Sequence, residues 1–167
     1  MKSRIYFKKF LYENDFKYYL DLVSNQEVMV MNYGRVFTID ESILTYKGIM
    51  INNKNYEDFG YFKVFEKYTN NFIGIGAITI NNDFSEAEIE YMLIPDYWGK
   101  GYGSEIVRNL LKKAEETKSI HKVIAITDPN NFVSKKILFN NGFVSSKIFE
   151  IEDGSLAEMH SKEIMHF

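Results

Sequence analysis

Apolar positions along this chain change period several times, and each change marks an element. Arg4-Ile5-Tyr6-Phe7-Lys8-Lys9-Phe10 reads as a strand over residues 4–10. Asn14 then stands as an N-cap before Phe16, Tyr19, Leu20 and Val23, whose i, i+3, i+4, i+7 spacing predicts an amphipathic helix. Thr38 and Glu41 form a T-x-x-E capping box that opens a second helix over residues 39–51, closed by the turn Asn52-Asn53-Lys54-Asn55. From there the period falls to two. Phe59–Phe65 and Phe72–Ile80 predict strands joined at Thr69-Asn70-Asn71, and Asn81-Asn82-Asp83 turns the chain into a third, Ala87–Ile94.

Pro95 ends that strand, and Trp98-Gly99-Lys100-Gly101-Tyr102-Gly103 follows as a glycine-rich turn. Ile106, Val107, Leu110, Leu111 and Ala114 then give one face of a long helix, with Lys112, Lys113 and Lys118 at the negative end of its dipole. Val123–Thr127 predicts a short buried strand before Pro129, and Asn131–Asn140 a short helix closed by Asn141-Gly142. Phe143–Ile151 predicts a strand that turns at Asp153-Gly154 into a last one. The order is β-α-α-β-β-β-α-β-α-β-β. Strands alternate with helices only in the second half, so the expected fold is α/β with a mixed sheet and helices on both faces, not a doubly wound domain.

Composition narrows the setting. At 167 residues the expectation is a single domain over 1–167, and fourteen Phe, twelve Tyr and one Trp supply bulky core material. The absence of cysteine removes thiol nucleophiles and Cys-based metal sites, and points to a reducing, cytoplasmic setting. His121, His160 and His166 show no metal-binding spacing, so no metal is expected, and His121 is expected to face solvent. No apolar run is long enough for a signal peptide or a membrane span. A net charge of −3 without Lys/Arg clusters argues against nucleic acid and membrane surfaces as partners. With arginine only at positions 4, 35 and 108, a bound phosphate would be held mainly by backbone amides.

The strand, glycine turn and helix offer such amides, because successive N–H groups at a helix N-terminus make an anion cradle fit for a pyrophosphate. Side chains at 99, 101 or 103 would hold a ligand away or forbid positive φ. The spacing is not that of a P-loop, and Gly99-x-Gly101-x-Gly103 is one residue short of a dinucleotide fingerprint. Gly74-Ile75-Gly76 continues into strand and reads as a bulge or a place of close packing.

Ala87-Glu88-Ile89-Glu90-Tyr91-Met92-Leu93-Ile94-Pro95-Asp96-Tyr97-Trp98-Gly99-Lys100-Gly101-Tyr102-Gly103-Ser104-Glu105 resembles the acetyl-CoA-binding motif of the GNAT superfamily of N-acetyltransferases, in its RimJ/RimL-type branch. Arg4–Lys8 with Asp15 is similar to that branch's opening strand and helix, and Asn131-x-x-Ser134, eight residues before Gly142-Phe143, to its second signature. The resemblance covers nearly the whole chain. It implies a mostly antiparallel, twisted sheet whose fourth and fifth strands splay apart, and acetyl-CoA as cosubstrate. By the same resemblance the pyrophosphate lies on the amides of Gly99, Gly101, Tyr102, Gly103 and Ser104, with Lys100 adding charge. Met92, Leu93 and Ile94 pair with the pantetheine arm, and one of their amides polarises the thioester carbonyl. Asn131 and Ser134 match positions that contact the pantetheine and approach the sulfur, though N-cap and N3 are equally their places in a helix. Two positions depart from the superfamily's pattern. Trp98 replaces a Gln or Arg of the wider superfamily, and Leu138 stands where some members have a tyrosine acid, so the proton for the thiolate must come from Ser134, a water or a tyrosine elsewhere.

The implied reaction needs a base, since an alkylamine at neutral pH is mostly ammonium. Glu88 stands at the family's carboxylate position, and strand alternation puts Glu90 on the same face, toward the cleft if Ile89, Tyr91 and Leu93 pack the other. Both glutamates could equally be solvated edge residues. Tyr33, Tyr61, Phe62 and Tyr91 line the acceptor side or serve as packing. The expected function is direct acetyl transfer to a primary amine of a small molecule or peptide (protein N-terminus, polyamine, amino acid or antibiotic) by a monomer or homodimer. The alternative is a non-catalytic acyl-CoA sensor or partner-binding module of the same fold.

Overall fold

A computed structural model describes residues 2–167. The chain opens with strand β1 (Ile5–Lys9), passes a 3-10 turn at Glu13–Asp15, and forms helices α1 (Phe16–Val23), α2 (Gln26–Asn32) and α3 (Ile39–Asn55). Strands β2 (Gly60–Glu66), β3 (Phe72–Ile80) and β4 (Glu86–Leu93) follow, then α4 (Tyr102–Glu115), β5 (Lys122–Thr127), α5 (Phe132–Asn140), β6 (Val144–Glu150) and β7 (Leu156–Glu163). The strands form one sheet in the order β1-β2-β3-β4-β5-β7-β6, antiparallel except for the β4–β5 pair.

Two apolar clusters cover the two faces. Ile106, Val107, Leu110 and Leu111 of α4 pack with Val64, Ile78, Ile89 and Val123 in the larger one, which also takes Leu138 of α5. Leu22 and Val23 of α1, Val28 and Met29 of α2, and Tyr46 and Ile49 of α3 pack on the opposite face, against Ile75 and Met92. Gly76 lies under the larger cluster, where a Cβ would come within 3.0 Å of Ile106 and of Phe7, and a Cβ at Gly74 would meet the Met92 carbonyl. Close packing is therefore the role of that glycine pair.

Three local expectations need correction. Asn14 is not the N-cap of the first helix; it lies inside the 3-10 turn, and Asp15 precedes α1 with its carboxylate on Lys63 Nζ at 2.7 Å. Helix α2 was not expected. It is seven residues long, and Asn25 caps it by accepting from Val28 N. Helix α3 runs on to Asn55, through the run of asparagines expected to end it. Asn53 is the reason. It is 3% exposed, donates to the carbonyls of Phe10 and Tyr61 at 2.9 Å each, and accepts from Tyr61 N at 2.8 Å. Helix end, β1 and β2 are thereby tied by one amide, so Asn53→Leu is expected to lower stability by about 3 kcal/mol, since it leaves the Phe10 carbonyl and the Tyr61 amide without that partner in the interior, while the Tyr61 carbonyl keeps the Phe10 amide. Denaturant unfolding of the two proteins checks this.

The feature that shapes the site is the divergence of β4 from β5. They pair only at Glu86, Ala87 and Glu88, so from Ile89 onward β4 has an unpaired edge. The splay implied by the motif resemblance is thus present.

Candidate active site

A cavity of about 600 Å³ fills the space opened by the splay. Tyr91, Met92 and Leu93 line it from β4, Gly99 to Ser104 (Lys100 excepted) from the glycine turn and α4, and Asn131 and Ser134 from the start of α5. Gly101 is the N-cap of α4 with φ +85°, and Gly99 has φ +70°, both left-handed values that suit glycine. The first amides of α4 have no acceptor within the helix, and the dipole favours an anion there. A Cβ placed on Gly99 would meet no protein atom within 4 Å, so the space over the turn is free for a ligand.

Behind the cradle, Glu105 in the first turn of α4 is buried against the N-terminal segment. Burial opposes its ionisation, but bonds from the Arg4 amide, the Arg4 guanidinium (Nε to Oε2, 2.9 Å) and Ser3 Oγ outweigh this and hold its pKa below the usual value. The Arg4 guanidinium also stacks 4.1 Å from the Tyr102 ring centre. Trp98 braces the turn from the other side by donating its indole N–H to the Leu93 carbonyl at 2.9 Å.

That bond also fixes the polarity of the β4 edge. Ile94 N donates to Ile73 O on β3, so by alternation the amides of Ile94 and Met92 face β3 and those of Tyr91 and Leu93 face the open edge. Of the three residues expected to meet a pantetheine arm, Leu93 therefore offers its amide, and Met92 lines the cavity although it also packs with the α1–α3 cluster. Ile94 packs into the α1–α3 cluster instead. Lys100 also lies outside the cavity lining, folded back so that Nζ donates to the Asp96 carbonyl at 2.7 Å.

Asn131 and Ser134 take the N-cap and N3 places. Asn131 Oδ1 accepts from Ser134 N at 3.1 Å, and its amide nitrogen donates to the Met31 carbonyl of α2. Ser134 Oγ lies 2.6 Å from the Tyr91 hydroxyl. Lys136 and Asn140 of α5, Met31 and Asn32 of α2, and Tyr97 and Trp98 also line the cavity, beyond the residues the sequence pattern points to. A signal existed for part of this set. Val133, Lys136, Ile137 and Asn140 follow helical spacing and share the face turned to α4.

Glu88 and Glu90 project to the face of β4 that carries Met92, opposite Ile89, Tyr91 and Leu93. Across the sheet, Glu90 is in register with Ala77 and Ala77 with Tyr61, so small Ala77 leaves room between carboxylate and phenol. Burial, then the neighbouring Glu88 charge, push the Glu90 pKa up to about 7, against a hydrogen bond from Tyr33. Burial, then Glu86, raise that of Glu88. Tyr33 and Tyr61 are raised by burial and then by Glu90, although about half of the Tyr33 surface is exposed; it is the hydroxyl end that is enclosed. Glu86 is paired with Lys122 and Lys63 with Asp15, so among the described residues no cation within 4 Å neutralises Glu88 or Glu90. Phe62 packs in the larger cluster and Tyr91 lines the cavity, so neither belongs to this tyrosine and carboxylate group.

The family model for the acetyltransferase (GNAT) domain matches residues 4–144. The chain belongs to the GNAT family. It is 32% identical over 83 residues to the N-acetyltransferase p20 of Bacillus licheniformis, covering 49% of this chain and 47% of that protein. It is 28% identical over 139 residues to the FsC-acetyl coenzyme A-N(2)-transacetylase of Aspergillus fumigatus, covering 78% of this chain and 58% of that one. The chain spans about half the length of these curated relatives. Among solved structures, the RimL ribosomal L7/L12 alpha-N-protein acetyltransferase in complex with CoA superposes with a TM-score of 0.80 at 16% identity, covering 98% of this chain and 96% of that one. The spermidine N-acetyltransferase of Vibrio cholerae in complex with CoA and spermine gives 0.76 at 18% identity, covering 97% and 96%. These likenesses place the GNAT fold, with its mostly antiparallel open sheet, on this chain.

Proposed function

We propose that this protein transfers the acetyl group of acetyl-CoA directly to a primary amine. The observation that carries the reading is one continuous cavity that joins the unpaired edge of β4 to the glycine cradle of α4, with an unneutralised carboxylate pair on the same strand. Acetyl-CoA brings an activated acetyl thioester. The amides of Gly99, Gly101, Tyr102, Gly103 and Ser104 hold its pyrophosphate, and Lys136 supplies the charge that Lys100 does not. The Leu93 N–H faces the thioester oxygen and stabilises charge developing there. Lys136→Ala is expected to weaken CoA binding roughly tenfold, less at high salt, and Lys100→Ala to leave it within about twofold. Calorimetric titration of CoA into both variants checks this.

Glu90 is the proton acceptor in this reading. It lies two residues from Met92, about 7 Å along the strand, whereas Glu88 is about 13 Å away and reaches the amine through water. An incoming ammonium gives one proton to Glu90, and its nitrogen bonds to the acetyl carbon. The carbon–sulfur bond breaks with its electron pair on sulfur, the nitrogen sheds a second proton, and the sulfur gains one on the side where Ser134 stands. The acceptor is a cation because the site meets it with carboxylates and tyrosine rings and no counter-charge. A spermidine and a protein N-terminus, named for the relatives above, both satisfy that condition.

Thermal unfolding with and without acetyl-CoA, followed by thiol release across a panel of primary amines, tests the proposal. Stabilisation together with amine-dependent thiol release is the expected result. Stabilisation with no turnover on amines or peptide N-termini would favour an acyl-CoA sensor, and no stabilisation would remove the cradle reading.

A further inference from the structure

The tyrosine that faces Ser134 has no part in the transfer chemistry proposed for this site, yet its hydroxyl lies within hydrogen-bond distance of the serine Oγ. Tyr91 sits on β4 at the first part of the strand free of β5, and both residues line the cavity. Its oxygen lies 2.6 Å from Ser134 Oγ and 3.2 Å from the Ser134 carbonyl. The backbone under the serine is fixed, because Asn131 accepts from the Ser134 amide and itself donates to the Met31 carbonyl.

Two hydroxyls 2.6 Å apart share one proton between them, and the direction decides what the serine can do. If Ser134 donates to Tyr91, the phenol proton turns to the Ser134 carbonyl and nothing is left to point into the cavity. If Tyr91 donates, the serine O–H is released toward the cavity. The phenol is the more acidic hydroxyl and hence the better donor, and the shorter of its two contacts is the one to Oγ. A serine that accepts such a bond also becomes a stronger donor itself. Burial, opposed by the bond to Ser134, pushes the Tyr91 pKa up to about 12, so the phenol keeps its proton across the neutral range.

We propose that Tyr91 is the positioning residue for Ser134: by donating its phenol proton to Oγ it aims the serine O–H at the sulfur of the bound thioester. The inference rests on the acetyl-CoA reading. As the carbon–sulfur bond breaks and its electron pair settles on sulfur, the Ser134 O–H stabilises that charge; Tyr91 keeps its own proton, and the proton that ends on the thiol is drawn from solvent.

CoA itself is the probe. Its thiolate absorbs in the ultraviolet, so the pKa of the bound thiol can be titrated without any acceptor amine. The free protein variants are first checked for stabilisation by CoA; if the parent protein shows none, the underlying reading fails and this inference with it. With CoA bound, the parent protein is expected to lower the thiol pKa by about one unit from the ordinary thiol value near 8.5. Tyr91→Phe and Ser134→Ala should each abolish that shift, and the double variant should do no more than either. With any amine turned over, Tyr91→Phe should cut kcat about tenfold and leave KM for acetyl-CoA unchanged. A Tyr91→Phe protein that binds CoA and keeps the shifted thiol pKa, or effects of the two substitutions that simply add, would overturn the proposal and leave the acetyl-CoA site standing.

Discussion

Glu90→Gln is expected to unfold several degrees above the parent protein at pH 8 while losing at least about a hundredfold in kcat. Both effects come from the carboxyl of one partly buried residue. In the unfolded chain a glutamate titrates near 4.5, whereas here burial and the Glu88 charge move Glu90 to about 7. Between those values the folded state binds more protons than the unfolded state, so stability falls as pH rises from about 4.5 to about 7, and above that the full penalty is in place. A shift of that size corresponds to roughly 3 kcal/mol, with the bond from Tyr33 to the ionised form already counted in it. Glutamine removes the penalty, so its advantage should be full at pH 8 and absent at pH 4. For this chain length that is about 5–10 °C in Tm. Catalysis moves the opposite way, because glutamine cannot take the ammonium proton, and general base catalysis contributes about 10²–10⁴-fold. The rate of the parent protein should rise with pH through an acid limb near 7. Glu88→Gln should carry that limb to lower pH by removing the like charge beside Glu90. Equal melting temperatures for the two proteins at pH 8, or an unchanged kcat, would count against Glu90 as the base.

Glu88 shows how far the chain alone leads. The alternation of β4 correctly puts both glutamates on one face, because period two is a local property of an extended backbone. Which of the two is enclosed depends on Tyr33 and Tyr61, which arrive from a loop after α2 and from β2, and no local pattern encodes that meeting. The same division runs through the fold. The long amphipathic helix α4 and the capping box of α3 are visible because their signals lie within a few residues. The last turn of α3 is not, because Asn53 is held by Phe10 and Tyr61, 43 and 8 residues away. The cradle was legible from glycine spacing, but Lys100 turns back on Asp96 and Lys136 lines the cavity in its place, since a lysine's reach is settled by the packing of α4 on α5. The Tyr91 and Ser134 pair spans 43 residues and becomes visible only once β5 leaves β4.

The cradle supplies the second large effect. Gly101→Val should abolish measurable stabilisation by acetyl-CoA and raise the Kd for CoA by about 30-fold or more. Gly101 is the N-cap of α4 at φ +85°, a left-handed value that costs an ordinary residue about 1–2 kcal/mol and a β-branched one more. The added side chain would start 3.3 Å from Arg4 Nη2, the end of a long side chain about a third exposed, so relieving the contact asks only a few tenths of an ångström of a guanidinium that Glu105 and Tyr102 hold in place. What changes is the path of the backbone. To relieve φ, the chain must rotate the peptides on either side of residue 101, and those peptides carry amides of the cradle. Losing two charge-assisted bonds to phosphate, at about 1.5–3 kcal/mol each, would exceed the predicted 30-fold loss, so that figure is a lower bound. The strain also lowers global stability, which Gly48→Ala can offset. Gly48 lies exposed in the middle of α3, has nothing within 4 Å of its Cβ position, and gains about 0.5–1 kcal/mol as alanine. In that background, a Gly101→Val protein that melts near the parent temperature yet no longer shifts with acetyl-CoA would assign the loss to the cradle. One that still shifts fully would mean that the pyrophosphate is held elsewhere along the cavity.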